Sequence, residues 1–341
     1  MIIEVDGKNY SSAQIKAGNF ESNDLSDDSM YILSFISDWL NQKQQFSFHS
    51  SGSTGKPKKI DLSREVLAYS AQQTLNYLGL NGHSTKNMLL CLSPKVIGGT
   101  MLILRALIVD ADVKVVAPNS NFQELSEGYD LASMVPIQLK KMVTSQPMAL
   151  NRFRNILIGG AALDPSIEDS LRGLKPNFFH TYGMTETASH VAIRRLHEEN
   201  YHTLGDIVLG LDEGRLKLKG TVTGGNWLQT NDLVEITSER SFRWLGRSDF
   251  IINTGGIKVN PEKIEQLLAD QIKGIFAVSA QPDSQLGERI VLVAESSEIP
   301  ISLEDIPQYH RPKAFLWNYT IPKTESGKIA RSKLKASLSN V

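Results

Sequence analysis

Between residues 88 and 158 short apolar runs alternate with helical patterns, and no other feature of the chain restricts its fold as strongly. The runs 88–92, 113–116, 131–135 and 156–158 read as buried strands. Segments 100–109 and 137–143 repeat apolar residues at helical spacing. A third helical run opens with Asp164-Pro165, a cap followed by proline at the first helical position. Strands separated by helices cannot close into tight hairpins, so the alternation predicts a parallel sheet flanked by helices. Ligands of such sheets bind outside the carboxyl ends of the strands.

The flanking segments complete an α/β plan. Residues 2–5 with the turn Asp6-Gly7 predict a small hairpin. Ile32, Phe35, Ile36, Trp39 and Leu40 predict a helix over 28–42; 46–49 reads as a strand, and Ser63 as the cap of a helix through 78. From 205 to 247 short strands with turn residues take over, at 215–219, 233–236 and 242–245. Beyond Arg247 a mixed segment follows, with a helix at 264–268 and strands at 275–280 and 290–294. Ala330, Leu334 and Leu338 mark a terminal amphipathic helix. A chain of 341 residues predicts two domains. The expected boundary near Ser248 and Asp249 gives a large domain, 1–247, with the parallel sheet plus a short β region, and a small mobile α+β domain, 248–341.

Composition excludes several functions. A net charge of −1 gives no support for a nucleic-acid or acidic-membrane partner. A single cysteine, Cys91, rules out an internal disulfide and a cysteine-based zinc site, and its apolar surroundings predict a buried thiol rather than a nucleophile. The seven histidines show no His-Glu-x-x-His spacing, so a zinc hydrolase is not indicated. Met1-Ile2-Ile3 runs at once into Glu4 and Asp6, unlike a signal sequence. The most membrane-like stretch, 101–109, is broken by Arg105. A cytoplasmic protein without stable membrane insertion is expected.

Four polar clusters sit in loops or at strand ends. The first is Ser50-Ser51-Gly52-Ser53-Thr54-Gly55-Lys56-Pro57-Lys58, where glycines let backbone amides converge and hydroxyls and lysines add donors and charge. That suits a polyphosphate, although the Gly-x-x-x-x-Gly-Lys spacing of the usual nucleotide loop is missing, and alone the loop reads more simply as a solvated turn. The second is Thr181-Tyr182-Gly183-Met184-Thr185-Glu186-Thr187. The third joins Thr230-Asn231-Asp232 with Gly246-Arg247-Ser248-Asp249, Gly255-Gly256 and Asn260-Pro261-Glu262. The last is Pro322-Lys323-Thr324-Glu325-Ser326-Gly327-Lys328-Ile329-Ala330-Arg331.

In this order, from Ser50 almost to the C-terminus, the clusters resemble the signatures of the adenylate-forming superfamily of acyl-CoA synthetases, adenylation domains and luciferases. The resemblance implies a two-step reaction using ATP, Mg²⁺ and coenzyme A. A carboxylate attacks the α-phosphate to give acyl-AMP and pyrophosphate, and a thiol then takes the acyl group. It further implies that Ser50, Ser51, Gly52, Ser53, Thr54, Gly55 and Lys58 hold the β- and γ-phosphates. Gly159-Gly160-Ala161 would pack against the adenine and Tyr182 would stack on it. Thr185 would bind the α-phosphate, and Glu186 would hold Mg²⁺, which prefers oxygen ligands. Asp232 would accept from both ribose hydroxyls, and Arg247 would donate to ribose or phosphate. Lys328 resembles the catalytic lysine, a cation placed where charge builds up in the transition state. Asp249 falls at the hinge about which the small domain rotates, and Gly255 and Gly256 would face the pantetheine tunnel.

The resemblance is incomplete in three places. Typical relatives carry a longer segment before the phosphate loop, so a reduced N-terminal subdomain is expected. Asn231 replaces the usual glycine before the ribose aspartate, a mild change because Asn tolerates left-handed backbone. Val96 stands where relatives carry an aromatic or histidine gate. Arg105, inside an apolar helix, reads either as a structural arginine that snorkels or pairs, or as a carboxylate receptor. Its spacing after the gate glycine resembles the o-succinylbenzoate–CoA ligases of menaquinone synthesis. Thr187-Ala188-Ser189-His190 resembles the same subgroup, with His190 in place of glutamine. Arg105, Ser189 and His190 would then contact the acid. The expected partners are a small carboxylic acid, ATP and CoA, and a homo-oligomer is compatible. Another aryl- or acyl-CoA ligase, a stand-alone adenylation enzyme loading a carrier protein, and a degenerate nucleotide-binding relative are the alternatives. Intact Lys328, Glu186 and Asp232 argue against the last.

Overall fold

The computed structural model describes the chain apart from residues 21–23, 51–57, 82–84, 119–121, 123, 124, 126, 127, 162, 164, 325–328, 340 and 341. The hairpin β1 (Ile2–Val5) and β2 (Lys8–Ser11) turns at Asp6 and Gly7, both at positive φ. After α1 (Ser12–Lys16), Ser26 caps α2 (Asp27–Leu40) by accepting from the Ser29 N–H. β3 (Gln45–Ser50) and β4 (Lys58–Ser63) form a separate two-stranded hairpin, and Ser63 caps α3 (Arg64–Leu78) as its sequence predicts. The alternation then appears as β5 (Asn87–Leu90), α4 (Ile97–Val109), β6 (Asp112–Val115), β7 (Tyr129–Met134) and α5 (Pro136–Ser145). It continues through β8 (Phe153–Ile158), α6 (Pro165–Ser170) and β9 (Asn177–Met184).

β1, β6, β5, β7, β8 and β9 lie parallel in that spatial order. Successive side chains on these strands point to opposite faces. Met88, Leu90, Leu131, Leu157 and Phe179 therefore join a core with α2, α3 and α4. Leu89, Cys91, Ala132, Ile156 and Phe178 join a second core on the face covered by α5 and α6. α4 packs against the sheet and beneath α2 and α3, which is why it is apolar nearly all round. Cys91 is buried without exposure, and desolvation pushes its thiol up to about 12, so it is an inert core residue.

After β9 the chain reverses. β10 (Ser189–Arg195) returns antiparallel, followed by β11 (Asn200–Thr203), β12 (Val208–Asp212), β13 (Arg215–Lys219), β14 (Leu228–Ser238) and β15 (Ser241–Arg247). These extend the sheet to 13 strands, in the order β12-β13-β14-β15-β11-β10-β9 across its antiparallel half. Two differences from expectation stand out. The antiparallel region begins at Ser189 rather than near 205, because Ala188 and Ser189 take φ of 52° and 93° and turn the chain back. Segment 58–63 is a strand paired antiparallel with β3, so Ser50 and Lys58, the two ends of the first polar cluster, face each other across a hairpin.

A second sheet follows Phe250. It contains β16 (Ile252–Thr254), β17 (Ile257–Val259), β18 (Phe276–Asp283), β19 (Gly287–Ala294) and β20 (Ala314–Leu316). α7 (Pro261–Leu268) buries Ile264 and Leu268 on one face of it. α8 (Arg331–Leu338) buries Leu334 and Leu338 on the other. No helix among the described residues is long and apolar enough to cross a membrane.

Candidate active site

The carboxyl end of β9 carries Thr185, Glu186 and Thr187 in one turn of 3-10 helix, and the β3–β4 hairpin packs against that turn. The strands on either side of the first polar cluster thereby meet the second; residues 51–57, with Ser51, Gly52, Ser53, Thr54 and Gly55, lie outside the described residues. Ser50 pairs with exposed Lys58 at the hairpin mouth. Glu186 lines a pocket of about 420 Å³ with Asp61 and Ser63 on one side and Thr223, Asn226 and Trp227 on the other. Among the described residues no group of three or more carboxylate, histidine or cysteine side chains could hold a metal. One or two carboxylates, such as Glu186, suit Mg²⁺, which keeps several waters and takes its remaining ligands from phosphates.

β10 crosses β9 closely at this point. A Cβ on Gly183 would lie 2.2 Å from the Ser189 carbonyl oxygen and 2.3 Å from His190 Cα, so only glycine fits. The Thr187 hydroxyl accepts from the Met184 N–H at 3.1 Å and donates to the Ser189 carbonyl at 2.7 Å, which locks the turn.

The third cluster is assembled by β14 and β15, where Asp232 pairs with Arg247 across the strands. Tyr182 donates its hydroxyl to Asp232 Oδ2 at 2.7 Å, and Trp244 Nε1 donates to Oδ1 at 3.2 Å. The groups expected on base and ribose are thus hydrogen-bonded to each other. Burial, and then the Asp232 charge, raise the Tyr182 hydroxyl well above its ordinary pKa, so it stays a donor. Arg247 lies 3.8 Å from Asp232 and 2.6 Å from Asp249. Burial opposes its charge, and Asp249, Asp232 and Glu262 together more than restore it. Asp249 lies in a 3-10 turn between the two sheets. Gly255 and Gly256, at φ of 57° and 81°, form the turn between β16 and β17. Lys328 lies outside the described residues, flanked by the paired Lys323 and Ile329.

Arg105 is only 1% exposed, in the middle of α4, and its Nε and Nη2 meet no hydrogen-bond partner among the described residues. Burial brings its pKa down to about 9, which leaves it cationic at neutral pH. His190 is buried nearby; burial, and then the Arg105 charge, hold its pKa well below the usual value, so the imidazole is neutral. Its Nε2 lies 2.9 Å from Thr74 Oγ1 on α3, and its Nδ1 is 3.5 Å from Ser189 Oγ. Arg105, Ser189 and His190 therefore share one corner, while Val96 is exposed at the start of α4. Sequence reasoning missed Thr74, Trp244 and His180. His180 alone gave a signal, as a polar residue directly after Phe178-Phe179.

The profile of the AMP-binding enzyme family matches residues 41–221. The chain is 27% identical over 323 residues to a 2-succinylbenzoate–CoA ligase of Listeria monocytogenes, spanning 84% of this chain and 68% of that protein. It is 31% identical to an acyl-CoA synthetase (AMP-forming)/AMP-acid ligase II-like protein from Dyadobacter fermentans, with a TM-score of 0.63 covering 97% of this chain and 99% of that one. It also shares its fold with o-succinylbenzoate coenzyme A synthetase from Bacillus subtilis in complex with ATP and magnesium ion. There the identity is 22%, the TM-score 0.73, and the coverage 85% of this chain and 69% of the other.

Proposed function

Because the chain belongs to the AMP-binding enzyme family, we propose that it is an AMP-forming acid–thiol ligase that converts o-succinylbenzoate to o-succinylbenzoyl-CoA. The observation that carries the choice of acid is Arg105, a buried guanidinium with Nε and Nη2 unpaired among the described residues. Leaving a buried charge uncompensated is costly, and a carboxylate arriving with the substrate removes that cost. A diacid suits this corner: one carboxylate is activated while the other faces Arg105. Neutral His190 and Ser189 add hydrogen-bonding groups beside it without a second charge. The name of the Listeria relative supports the same acid.

In the first step a carboxylate oxygen attacks the α-phosphorus of ATP, the bond to the bridging oxygen breaks, and pyrophosphate leaves. In the second, the CoA sulfur attacks the acyl carbonyl carbon, AMP leaves with the bonding pair, and the thiol proton passes to solvent. Thr185 is assigned to the α-phosphate and the 50–58 loop to the β- and γ-phosphates. Glu186 is assigned to Mg²⁺, which when bound neutralises phosphate charge. Gly159, Gly160, Ala161 and Tyr182 are assigned to the adenine, Asp232 and Arg247 to the ribose. The hydrogen bonds from Tyr182 and Trp244 hold the Asp232 carboxylate in place for that contact. Lys328 is assigned to bridge the attacking carboxylate and the α-phosphate. Rotation of the 248–341 domain at Asp249 would then admit the thiol past Gly255 and Gly256.

ATP–pyrophosphate exchange over a panel of carboxylic acids tests the reading. o-Succinylbenzoate should support exchange best, and Arg105→Ala should raise its KM roughly tenfold to a hundredfold, the loss of a charge-assisted contact worth about 1.5–3 kcal/mol. The KM for ATP should hold. A monoacid lacking the second carboxylate should lose little more in the variant. Equal proportional losses for diacid and monoacid would make Arg105 scaffold and leave the acid open.

A further inference from the structure

Gly160 and Ala161 form an exposed shelf after β8, with Gly160 at φ 91°. Beneath it lies a buried polar chain for which the reaction assigned above has no use. His180 on β9 is 6% exposed, and its Nε2 is 3.0 Å from the Ala161 carbonyl oxygen. A carbonyl can only accept, so Nε2 carries the proton. Its Nδ1 lies 2.8 Å from the Tyr201 hydroxyl on β11, which must therefore donate. Burial first, and then Arg194, lower the His180 pKa to about 4, which keeps the ring neutral with one donor and one acceptor. Arg194 stacks over the Tyr201 ring at 5.7 Å and binds both oxygens of Glu168 on α6 at 3.2 Å. The Tyr201 ring also meets Tyr182 edge-on at 6.0 Å. A buried imidazole is a costly way to support an exposed loop when an apolar side chain would pack as well. Its return is direction: it aims one carbonyl.

We infer that Tyr201 and His180 are positioning residues for the nucleobase, with Tyr201 setting the His180 tautomer so that the Ala161 carbonyl and the Tyr182 ring are fixed as one adenine-selective surface. The inference rests on the nucleotide reading given above. The remaining lone pair of an aimed carbonyl accepts from the exocyclic amine of adenine and repels the carbonyl oxygen that guanine presents there.

Calorimetric titration of the 341-residue chain with ATP and with GTP, each with Mg²⁺, tests it. Tyr201→Phe keeps the ring and its stacking but removes the donor to Nδ1. The Kd for ATP should rise about threefold to tenfold, the effect of one lost hydrogen bond, and the preference for ATP over GTP should narrow. His180→Leu should do the same. His180→Gln, whose amide can still donate to Ala161, should bind ATP within about twofold of the parent. The KM for the acid should be unchanged in all three, which a general loosening of the fold would not allow. ATP affinity and ATP/GTP preference unchanged in Tyr201→Phe and His180→Leu would overturn the inference alone. A parent that binds no ATP would overturn the nucleotide reading and the inference with it.

Discussion

At His190 a buried hydrogen bond does what charge does at Arg105. Thr74 Oγ1 lies 2.9 Å from His190 Nε2 and 3.2 Å from the Ser70 carbonyl oxygen, so it is the hydrogen-bond partner of that ring nitrogen. Thr74→Val keeps the shape of the side chain and strips that nitrogen of its partner. The unpaired group should cost about 1–3 kcal/mol of stability, and Thr74→Ser should recover most of it. Denaturant midpoints check this: equal values for the three proteins would mean that His190 does not depend on Thr74. Arg105 differs because it has no such partner for two of its nitrogens among the described residues. The polar atom that completes that corner is therefore sought in the substrate.

Elements meet at distances that sequence motifs leave implicit, and glycines report them. Gly183 belongs to a recognisable polar cluster, yet its identity is fixed by β10 lying against β9. Gly183→Ala must push β10 away and carry Ser189 and His190 with it, at about 1–3 kcal/mol for the overpacking. Gly256, at φ 81°, has open space where a methyl group would stand, with nothing within 4 Å of it, so Gly256→Ala costs only backbone strain of about 1–2 kcal/mol. The first variant should also raise the KM for the acid, whereas the second should leave it alone. Steady-state kinetics with thermal melts separate the two; a Gly183→Ala protein with normal acid KM would place Ser189 and His190 outside the acyl site.

Across the whole molecule the two sheets are joined by a small polar clasp. Glu262 on α7 accepts from the Arg247 N–H at 3.0 Å, and Asn260 donates to the Leu245 carbonyl. Burial pushes the Glu262 carboxyl up to about 7; Glu265 adds to the rise, while Arg331, 3.9 Å away, and Arg247 oppose it. An unfolded glutamate titrates near about 4.3. From there to about 7 the folded chain holds a proton that the unfolded chain has lost, so stability falls as pH rises through that window, and the loss is complete above it. Glu262→Gln stays neutral and keeps an acceptor for Arg247. Its melting temperature should match the parent near pH 4.5 and exceed it at pH 8. Parallel profiles across that range would remove Glu262 as the titrating group.

Local terms made much of this legible in the chain. Strand–helix alternation, the Ser63 cap, the Asp6-Gly7 turn and the burial of Cys91 are each written within a few residues, because periodicity and capping act over one or two turns. The order of the four polar clusters carried the family in the same way. What the sequence did not contain was juxtaposition. Nothing near Thr74 marks it as the partner of a histidine 116 residues away, and nothing near Trp244 ties it to Asp232. The reversal after β9 uses Ala188 and Ser189 at positive φ, a region neither residue type favours, so the pairing of β10 with β9 imposes it. The His180–Tyr201 chain likewise exists because β8, β9, β10 and β11 lie side by side in one sheet. Side-chain period, caps and turns are properties of a segment; the direction of a buried hydrogen bond belongs to the packed sheet.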